Sequence, residues 1–485
     1  MYDVSAATAP TELGSLDLPD ISAPELLLWG DTVVVVGNDS QPSPGATASW
    51  TPTTGTRVHT IDVSDPTRPT LTHTARYSSS LVAARQHGDV VRLVLSASLP
   101  DLPFTQPRWW RNDRRSLELN QEVVRHSTLD DWLPTVAFDG GAPTPAVDCS
   151  RVAIPEHDSG LGTLTVVGFS ADQPTATSST AVATASQTAY LSTDRLYLAA
   201  SPWTVWGPCC WDGPMPAAPL QAEGVTRLYA FSLAGTQTTY VGSGEVRGNI
   251  ADRWAMDAVD GTLRVAVGPT SATGSFNSVV TLAERGSELV EVGRVDRLGP
   301  DEQIKSVRWF DDLALVVTFR QTDPLYAVDL GDPARPRLLG ALKVPGFSEY
   351  LHPIGDGRIL GLGQDADPAT GITRGAQVAL FDVSDLGHPA RLDAVRFARG
   401  TFALAGQDPR QFTWLPDRDT ALTVVTDGWD SRTGWVSVLR VGSTGLTQRL
   451  VEVEYGADVA RVRLVPLPSG EVALVTADSV SYLPI

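Results

Sequence analysis

The seven histidines of this sequence occur singly, so none forms a pair at the spacing that metal sites or catalytic dyads use. His352, in the run Tyr350-Leu-His-Pro353, lies in a segment that reads as an inner strand, and we expect it to face an internal channel. An imidazole facing the channel is a candidate for a functional role there. The structural alternative is a hydrogen bond at the end of the strand.

Tryptophans concentrate in two long segments that lie outside the repeated strands described below. Because exposed aromatic clusters mark binding surfaces, we take these side chains as candidates for contact with a ligand or partner. The alternative is a small satellite core beneath each insertion. The candidates are Trp109, Trp110, Trp203, Trp206 and Trp211.

Asp365 and Asp367 resemble the start of a calcium-binding loop, in which carboxylates alternate along the chain. The third oxygen ligand and the distant glutamate of the full motif are missing. Calcium is therefore a candidate ligand, and a solvated acidic turn is the alternative. The sequence predicts no other cofactor.

The cysteines are Cys149, Cys209 and Cys210, an odd number that fits neither a disulfide-dense scaffold nor a zinc site. Cys149 ends one insertion and the other two lie in the next, so adjacent blades could bring them together. We predict a disulfide from Cys149 to Cys209 or Cys210, consistent with an oxidising compartment. The rival is a disulfide between Cys209 and Cys210.

Other chemistry is hard to find in the sequence. We see no nucleophile elbow, no H-E-x-x-H zinc motif, no Walker loop and no dinucleotide-binding fingerprint. The net charge of −19 argues against nucleic acid and anionic membranes as partners. No apolar run reaches the roughly 18 residues of a transmembrane helix.

The elements that must position these residues repeat along the chain. A strand, a tight polar turn and a second strand rich in Val, Leu and Ala recur in eight copies, and most are followed by a third, alternating strand and a fourth, more polar one. Asp and Gly in the turns supply the positive φ angles that short hairpin loops need. The copies span residues 26–36, 82–95, 189–198, 254–267, 307–318, 350–362, 412–425 and 464–475.

Four-stranded units repeated in this way predict an all-β chain, a single β-propeller domain over residues 1–485. We expect eight antiparallel blades, or seven if one copy is an insertion hairpin. The last unit has three strands, so we expect a strand at residues 11–18 to pair with residues 479–483 and close the ring.

Two insertions interrupt this repeat, residues 100–162 in the second blade and 202–226 in the third. The first is predicted to hold the one appreciable helix, within residues 116–133, with Ser127 and Asp130 as a capping box. Both insertions join second to third strands, as do residues 38–56 and 364–375. We therefore expect one decorated face that carries the partner site.

Several segments carry a family resemblance. Residues 318–340, 344–353, 379–385, 127–134 and 242–248 resemble secreted bacterial and archaeal proteins with a C-terminal β-propeller domain distantly related to WD repeats. The resemblance implies a secreted or lipid-anchored propeller and no particular reaction. We expect a signal peptide or lipid anchor to lie outside the given sequence, because residues 2–11 do not read as one.

Two functions from different classes follow. The first is an extracytoplasmic binding or scaffold module that engages a protein or a cell-envelope component, as the acidic composition, the aromatic loops and the absence of catalytic motifs indicate. The alternative is an enzyme, a hydrolase or lyase with its site at the mouth of the central channel. Carboxylates converging with His352 at one end of the channel would favour the enzyme.

Overall fold

The computed structural model is almost entirely β-structure, which the sequence predicted. It describes residues 1–485 except 7, 41–54, 101, 106–113, 157–161, 187, 201–223, 271, 320–322, 345, 368–369, 371, 429–431 and 457. None of the helices in the described ranges is long and apolar enough to cross a membrane.

The described strands form eight successive antiparallel meanders, which we call units 1 to 8. Unit 1 is Ile21–Trp29, Thr32–Asp39, Thr56–Asp62 and Thr70–Tyr77; unit 2 is Ser80–His87, Val90–Ala97, Thr163–Ser170 and Gln173–Val182. Unit 3 is Thr188–Leu191, Arg195–Ala200, Val225–Ala234 and Gln237–Arg247; unit 4 is Met256–Val259, Thr262–Val267, Asn277–Arg285 and Glu288–Leu298.

The later units continue the same order. Unit 5 is Gln303–Trp309, Leu313–Phe319, Asp323–Asp329 and Arg337–Val344; unit 6 is Phe347–Gly355, Arg358–Ala366, Thr373–Asp382 and Ala390–Arg396. In unit 7, Phe402–Ala403 and Phe412–Leu415 both pair with Thr420–Thr426, and Thr433–Val441 and Leu446–Glu454 follow. Unit 8 is Arg463–Pro466, Val472–Val475 and Val480–Tyr482.

Short turns and apolar second strands explain why each unit forms. In unit 4 the turn residues Asp260 and Gly261 have φ angles of 49° and 76°, the left-handed region that a two-residue hairpin requires. The second strands are buried on both sides, as in unit 1, where Val34, Val35 and Val36 are at most 2% exposed. This confirms the hairpins that the sequence predicted.

The Asp-Pro turns join third to fourth strands as predicted. The Asp65 carboxylate accepts a hydrogen bond from the Thr67 backbone N–H at 3.0 Å, and Asp332 accepts one from Ala334 at 3.0 Å. These hydrogen bonds, with those from the following arginines, lower the pKa of both carboxyl groups. Each turn is therefore fixed by its own aspartate.

The insertion in unit 2 contains the helices Arg114–His126 and Leu129–Trp132, which confirms a helix in this segment. Its capping box lies one residue later than predicted, because the second helix begins at Leu129. The Asp131 carboxylate accepts hydrogen bonds from the backbone N–H of Thr128 at 2.7 Å and from its hydroxyl at 2.9 Å.

Some of the outer edges of the units are covered. Thr135–Phe138 from the insertion pairs with the fourth strand of unit 1 and, on its other side, with Thr144–Pro145. Val152–Ala153 pairs in parallel with the fourth strand of unit 2. The fourth strands of units 3 and 4 pair with each other in parallel, with Ser243 opposite Glu288 and Gly244 opposite Leu289. Units 3 and 4 thus form one eight-stranded sheet.

Neighbouring units also meet where a glycine in one accommodates the turn of the next. A Cβ on Gly293 of unit 4 would lie 2.2 Å from the carbonyl oxygen of Pro333 in the unit 5 turn. On Gly340 of unit 5 it would lie 2.3 Å from the carbonyl oxygen of Leu386 in the unit 6 turn. A side chain at either position would displace backbone atoms of the neighbouring unit.

The predicted closing strand is wrong. Thr11–Glu12 pairs with Tyr2–Asp3, and in the described part of the chain Val480–Tyr482 pairs with Val472–Val475 alone. The reason is the position of Gly14, where a Cβ would lie 2.6 Å from the carbonyl oxygen of Thr67 in the unit 1 turn. The N-terminal segment therefore runs beside that turn.

Contacts of the N-terminal segment still connect unit 8 to unit 1. The Tyr482 hydroxyl lies 3.0 Å from the carbonyl oxygen of Val4 and 2.8 Å from that of Ala6. Hydrophobic clusters join each earlier pair of neighbouring units, but among the described residues none joins unit 8 to unit 1. The number of blades in the closed ring stays a prediction.

Candidate functional site in the central channel

The first strands of the units lie side by side around a central channel. The Gln86 side chain of unit 2 donates a hydrogen bond to the carbonyl oxygen of Leu28 in unit 1, at 2.8 Å. Similar contacts continue from strand to strand through residues 253–255 and 404–406, which precede strands of units 4 and 7. Side chains near these first strands also meet between units that are not neighbours.

One such meeting joins units 7, 8 and 1. The Arg410 guanidinium lies 3.0 Å from a carboxylate oxygen of Glu25 and 2.9 Å from one of Asp408, and Arg463 lies 3.0 Å from Asp408. Burial of Asp408 works to raise its pKa, but the hydrogen bonds from Arg410 outweigh this and the pKa is lowered. Glu25 and Asp408 together balance the charges of Arg410 and Arg463.

Four further cations on the channel have no carboxylate within ion-pair distance among the described residues. They are Arg85, Arg253, Lys305 and Arg308, from units 2, 4 and 5. Burial lowers the pKa of Arg85, and the like charges of Arg253 and Arg410 lower it further, while the carboxylate of Glu25 partly opposes the shift. Arg85 of unit 2 therefore lies close enough to Arg253 and Arg410, from units 4 and 7, to be repelled by both.

The contacts of these cations are with carbonyl groups and aromatic rings. Arg85 donates to the carbonyl oxygen of Ala84 at 2.6 Å, and the guanidinium of Arg253 lies 4.6 Å from the ring centre of Trp254. Nε of Arg308 is buried with no hydrogen-bond partner in the described residues. The channel is thus locally positive in a chain of net charge −19.

A pocket adjoins these cations. It has a volume of about 620 Å³, counting space open to solvent, and Trp254, Lys305, Arg308, Glu349 and Tyr350 line it. Burial raises the pKa of Glu349, although Lys305 partly opposes the shift. In the described residues this carboxyl group has no hydrogen bond or ion pair, so it is free to meet a ligand.

His352 lies on the same inner strand, two residues beyond Tyr350. Its Nδ1 is 3.0 Å from the Tyr350 hydroxyl oxygen, and its ring centre is 4.6 Å from that of Phe412. Burial, with Arg308 nearby, lowers the pKa of His352 to about 4. The imidazole is therefore neutral near pH 7 and packs among aromatic rings, and its role in ligand binding stays a prediction.

Replacing His352 by glutamine is expected to flatten the acid side of the stability profile. An unfolded histidine titrates near 6.5, so the neutral folded form contributes stability that is fully present above that pH and is lost as the pH falls towards 4. We expect about 1–2 kcal/mol for this half-buried group after solvent screening. Urea unfolding between these pH values measures it, and His87→Gln, at an exposed position, is the control.

An unchanged pH dependence in His352→Gln would contradict the placement of this histidine. The same result in both variants would assign the acid sensitivity to other groups.

Most of the predicted aromatic and disulfide residues lie outside the described residues. These are Trp109, Trp110, Trp203, Trp206, Trp211, Cys209 and Cys210. Cys149 lies in the described part of the chain and is exposed. Because both of its predicted partners lie outside that part, the disulfide stays a prediction. Trp132 of the same insertion donates to the Ser127 hydroxyl at 2.8 Å and packs edge-on against Phe104, with ring centres 6.4 Å apart.

The two predicted calcium ligands each contact an arginine. A carboxylate oxygen of Asp365 lies 3.1 Å from Nε of Arg396, and Asp367 forms an ion pair with Arg374. Calcium would have to displace both guanidinium groups, and in the described chain no three His, Cys, Asp or Glu side chains gather at one point. Calcium binding here stays a prediction that this geometry does not favour.

The sequence prediction missed the channel cations. Each lies in or next to the first strand of a unit, as Arg85 does in unit 2 and Arg308 does in unit 5. Aligning the first strands of the eight copies would have shown basic side chains in several of them. A single arginine in a strand carries no such signal, because its partners across the ring are distant in sequence.

The meanders, their order and the shared channel define a β-propeller. Over residues 1–461 the sequence matches the family described as Beta propeller domain, and the chain belongs to that family.

Its relatives include two archaeal proteins described as uncharacterised. One, from Methanocaldococcus jannaschii, is 37% identical over 176 residues, which cover 36% of this chain and 27% of the relative. The other, from Archaeoglobus fulgidus, is 38% identical over 164 residues, which cover 34% of this chain and 24% of the relative. The matched region thus spans about a quarter of the length of these relatives.

Among solved structures, the chain is similar to a protein from Lactobacillus plantarum. The TM-score is 0.34 and the identity 14%, over 53% of this chain and 77% of that one.

Proposed function

We propose that this propeller is an extracytoplasmic binding or scaffold module that engages a protein or a cell-envelope component. The observation that carries the proposal is the asymmetry of the connections. Within the units, first and second strands are joined by turns of two to four residues in units 1 to 7, whereas second and third strands are joined by residues 40–55, 98–162 and 201–224 in units 1 to 3.

The long connections share one face of the ring. In an antiparallel meander, the connections from second to third strands and those between units leave from the same end of the sheet. Residues 251, 252, 254 and 255, in the connection that leads into unit 4, line the channel pocket, as do 405, 406 and 409, which join the two short strands at the start of unit 7. The pocket and the insertions therefore belong to the same face, and loops on a rigid scaffold are where binding residues concentrate.

The resemblance to secreted proteins supports the extracytoplasmic location. The enzyme alternative, a hydrolase or lyase at the channel mouth, has less support. General acid–base catalysis needs a proton-transferring group within hydrogen-bond reach of the substrate. Glu349 is a candidate for such a group, but His352 is held by Tyr350, and the other charged side chains that line the pocket are Asp252, Lys305 and Arg308.

Replacing the insertion tryptophans by alanine is expected to reduce capture of the partner. Trp109→Ala with Trp110→Ala, and separately Trp203→Ala with Trp206→Ala and Trp211→Ala, should each weaken capture about tenfold or more, because buried interface tryptophans contribute strongly to affinity. The measurement is cross-linking of the protein to envelope proteins in intact cells with a reagent that does not cross the membrane.

The matched control is Trp29→Ala. Trp29 is 43% exposed at the end of a first strand, on the opposite face. Equal capture by the wild type and by both insertion variants, with the fold intact, would contradict the proposed surface. Cross-linking that occurs only after the cells are broken would contradict the extracytoplasmic location.

A further inference from the structure

We propose that the central channel is a binding site for a small anion that carries at least two negative groups, carboxylate or phosphate, held by Arg85, Arg253, Lys305 and Arg308. This site is separate from the tryptophan-bearing insertions, so it goes beyond the partner surface proposed above. A propeller can carry a ligand site in its channel and a partner surface on its loops at the same time.

The first step is the imbalance of charge. Lys305 and Arg308 line the pocket with two carboxyl groups, Glu349 and Asp252, while Arg85 lies near Arg253 and near Glu25, which already pairs with Arg410. The Asp252 carboxylate is already engaged, because it accepts hydrogen bonds from the backbone N–H groups of Trp254 at 2.8 Å and Ala255 at 3.2 Å. Like charges in partly buried surroundings repel more strongly than in water, so a bound anion would stabilise this arrangement.

The second step is the contrast within the same channel. Arg410 and Arg463 receive their counter-charges from Glu25 and Asp408, side chains of the protein itself. None of the four other cations forms an ion pair in the described residues, although Glu25 offsets part of the charge of Arg85 and Glu349 part of that of Lys305. Where the fold needs an internal ion pair on the axis it supplies both partners, so the unpaired set indicates a counter-ion from outside.

The third step concerns the type of ligand. The buried Nε of Arg308 lacks an acceptor, and an unsatisfied buried donor is unfavourable until one is provided. Guanidinium groups bind carboxylate and phosphate oxygens in a planar, two-bond geometry. The cations come from three units, so a ligand with two or more negative groups matches them better than a single charge does. Only about 80 Å³ of the pocket can hold water-sized groups, and the rest of the 620 Å³ includes space open to solvent, so the ligand is a small molecule that lies partly in the opening.

The test uses citrate and inorganic pyrophosphate as probes of the two chemistries, by isothermal titration calorimetry at low salt. We expect saturable binding of at least one probe to the wild type. Arg308→Gln and Arg85→Gln should each weaken that binding about 10- to 100-fold, because each removes a charged hydrogen-bond donor. Binding of citrate alone identifies a carboxylate ligand, and binding of pyrophosphate alone identifies a phosphate.

The matched control is Arg440→Gln. Arg440 lies with Arg418 and Arg449 in a cleft on the outer part of unit 7, away from the channel. It should leave binding unchanged. Failure of both probes to bind the wild type overturns the proposal, as does binding that the channel variants leave intact or that Arg440→Gln abolishes.

A second measurement separates lost binding from lost folding. Without any probe, Arg308→Gln and Arg85→Gln should keep or raise the melting temperature, since each relieves repulsion between unpaired cations. With probe, the wild type should gain more than either variant. A fall in the melting temperature of the free variants would show that these arginines stabilise the fold without a ligand, and would overturn the proposal.

Discussion

Replacing Asp257 by alanine is expected to lower the free energy of unfolding by about 3–5 kcal/mol, because it leaves a buried guanidinium without its counter-charge. Arg264 is 4% exposed, and its Nε donates to the Asp257 carboxylate at 2.9 Å. The same carboxylate accepts a hydrogen bond from the Tyr190 hydroxyl at 3.2 Å, and Arg264 also donates to the carbonyl oxygen of Asp311 at 2.6 Å. This network joins units 3, 4 and 5.

Guanidinium chloride unfolding of the wild type and variant measures the effect. The control is the double variant Asp257→Ala with Arg264→Leu, in which neither charge is buried. It should recover much of the lost stability, because a buried ion pair can be replaced by apolar side chains at little net change. A double variant no more stable than Asp257→Ala alone would refute the assignment to an unpaired charge.

Replacing Gly293 by alanine is expected to lower the free energy of unfolding by about 1–3 kcal/mol, the usual effect of forcing extra volume into a packed site. The new Cβ would lie 2.2 Å from the carbonyl oxygen of Pro333 and 2.6 Å from Cδ of Pro336. Backbone and ring atoms cannot rotate away, so the two units must separate slightly. Chemical unfolding of the variant measures the change.

Gly428→Ala is the matched control for this substitution. Among the described residues, a Cβ at Gly428 would meet no atom within 4 Å, and its φ angle is not in the left-handed region. Its stability should equal or slightly exceed that of the wild type, because alanine restricts the unfolded chain more than glycine. Equal effects at both positions would show that the approach of the unit 5 turn is not what requires Gly293.

The repeated units were predictable because their signal is local. Turn residues such as Asp260 and Gly261 lie beside apolar runs, and these runs become the buried second strands. Closure of the ring was not predictable in the same way. We predicted that two edge strands pair, because pairing removes free strand edges. The contacts of Gly14 and Tyr482 instead depend on the neighbouring turn and backbone, which the alternation of residues along a strand does not predict.

The channel site was harder to predict than the fold. His352 was singled out because its segment was predicted to be an inner strand, and the structure places it on the first strand of unit 6 beside Tyr350. Arg85, Arg253 and Arg308 were passed over because each looks like an ordinary surface residue in its own segment. Their relation depends on the ring as a whole, which brings together residues far apart in the sequence.

The unequal covering of the outer edges divides the rim of the propeller into two arcs. Units 1 to 4 have part of each fourth strand paired with another segment, so the paired backbone groups are not available to a strand from a second molecule. In the described residues, the fourth strands of units 5, 6 and 7 have a free side, and they carry charged residues such as Lys343, Arg391 and Glu452. Charges on open edges are a recognised protection against aggregation. Association through the edge strands is therefore opposed by backbone pairing along one arc and by charged side chains along the other.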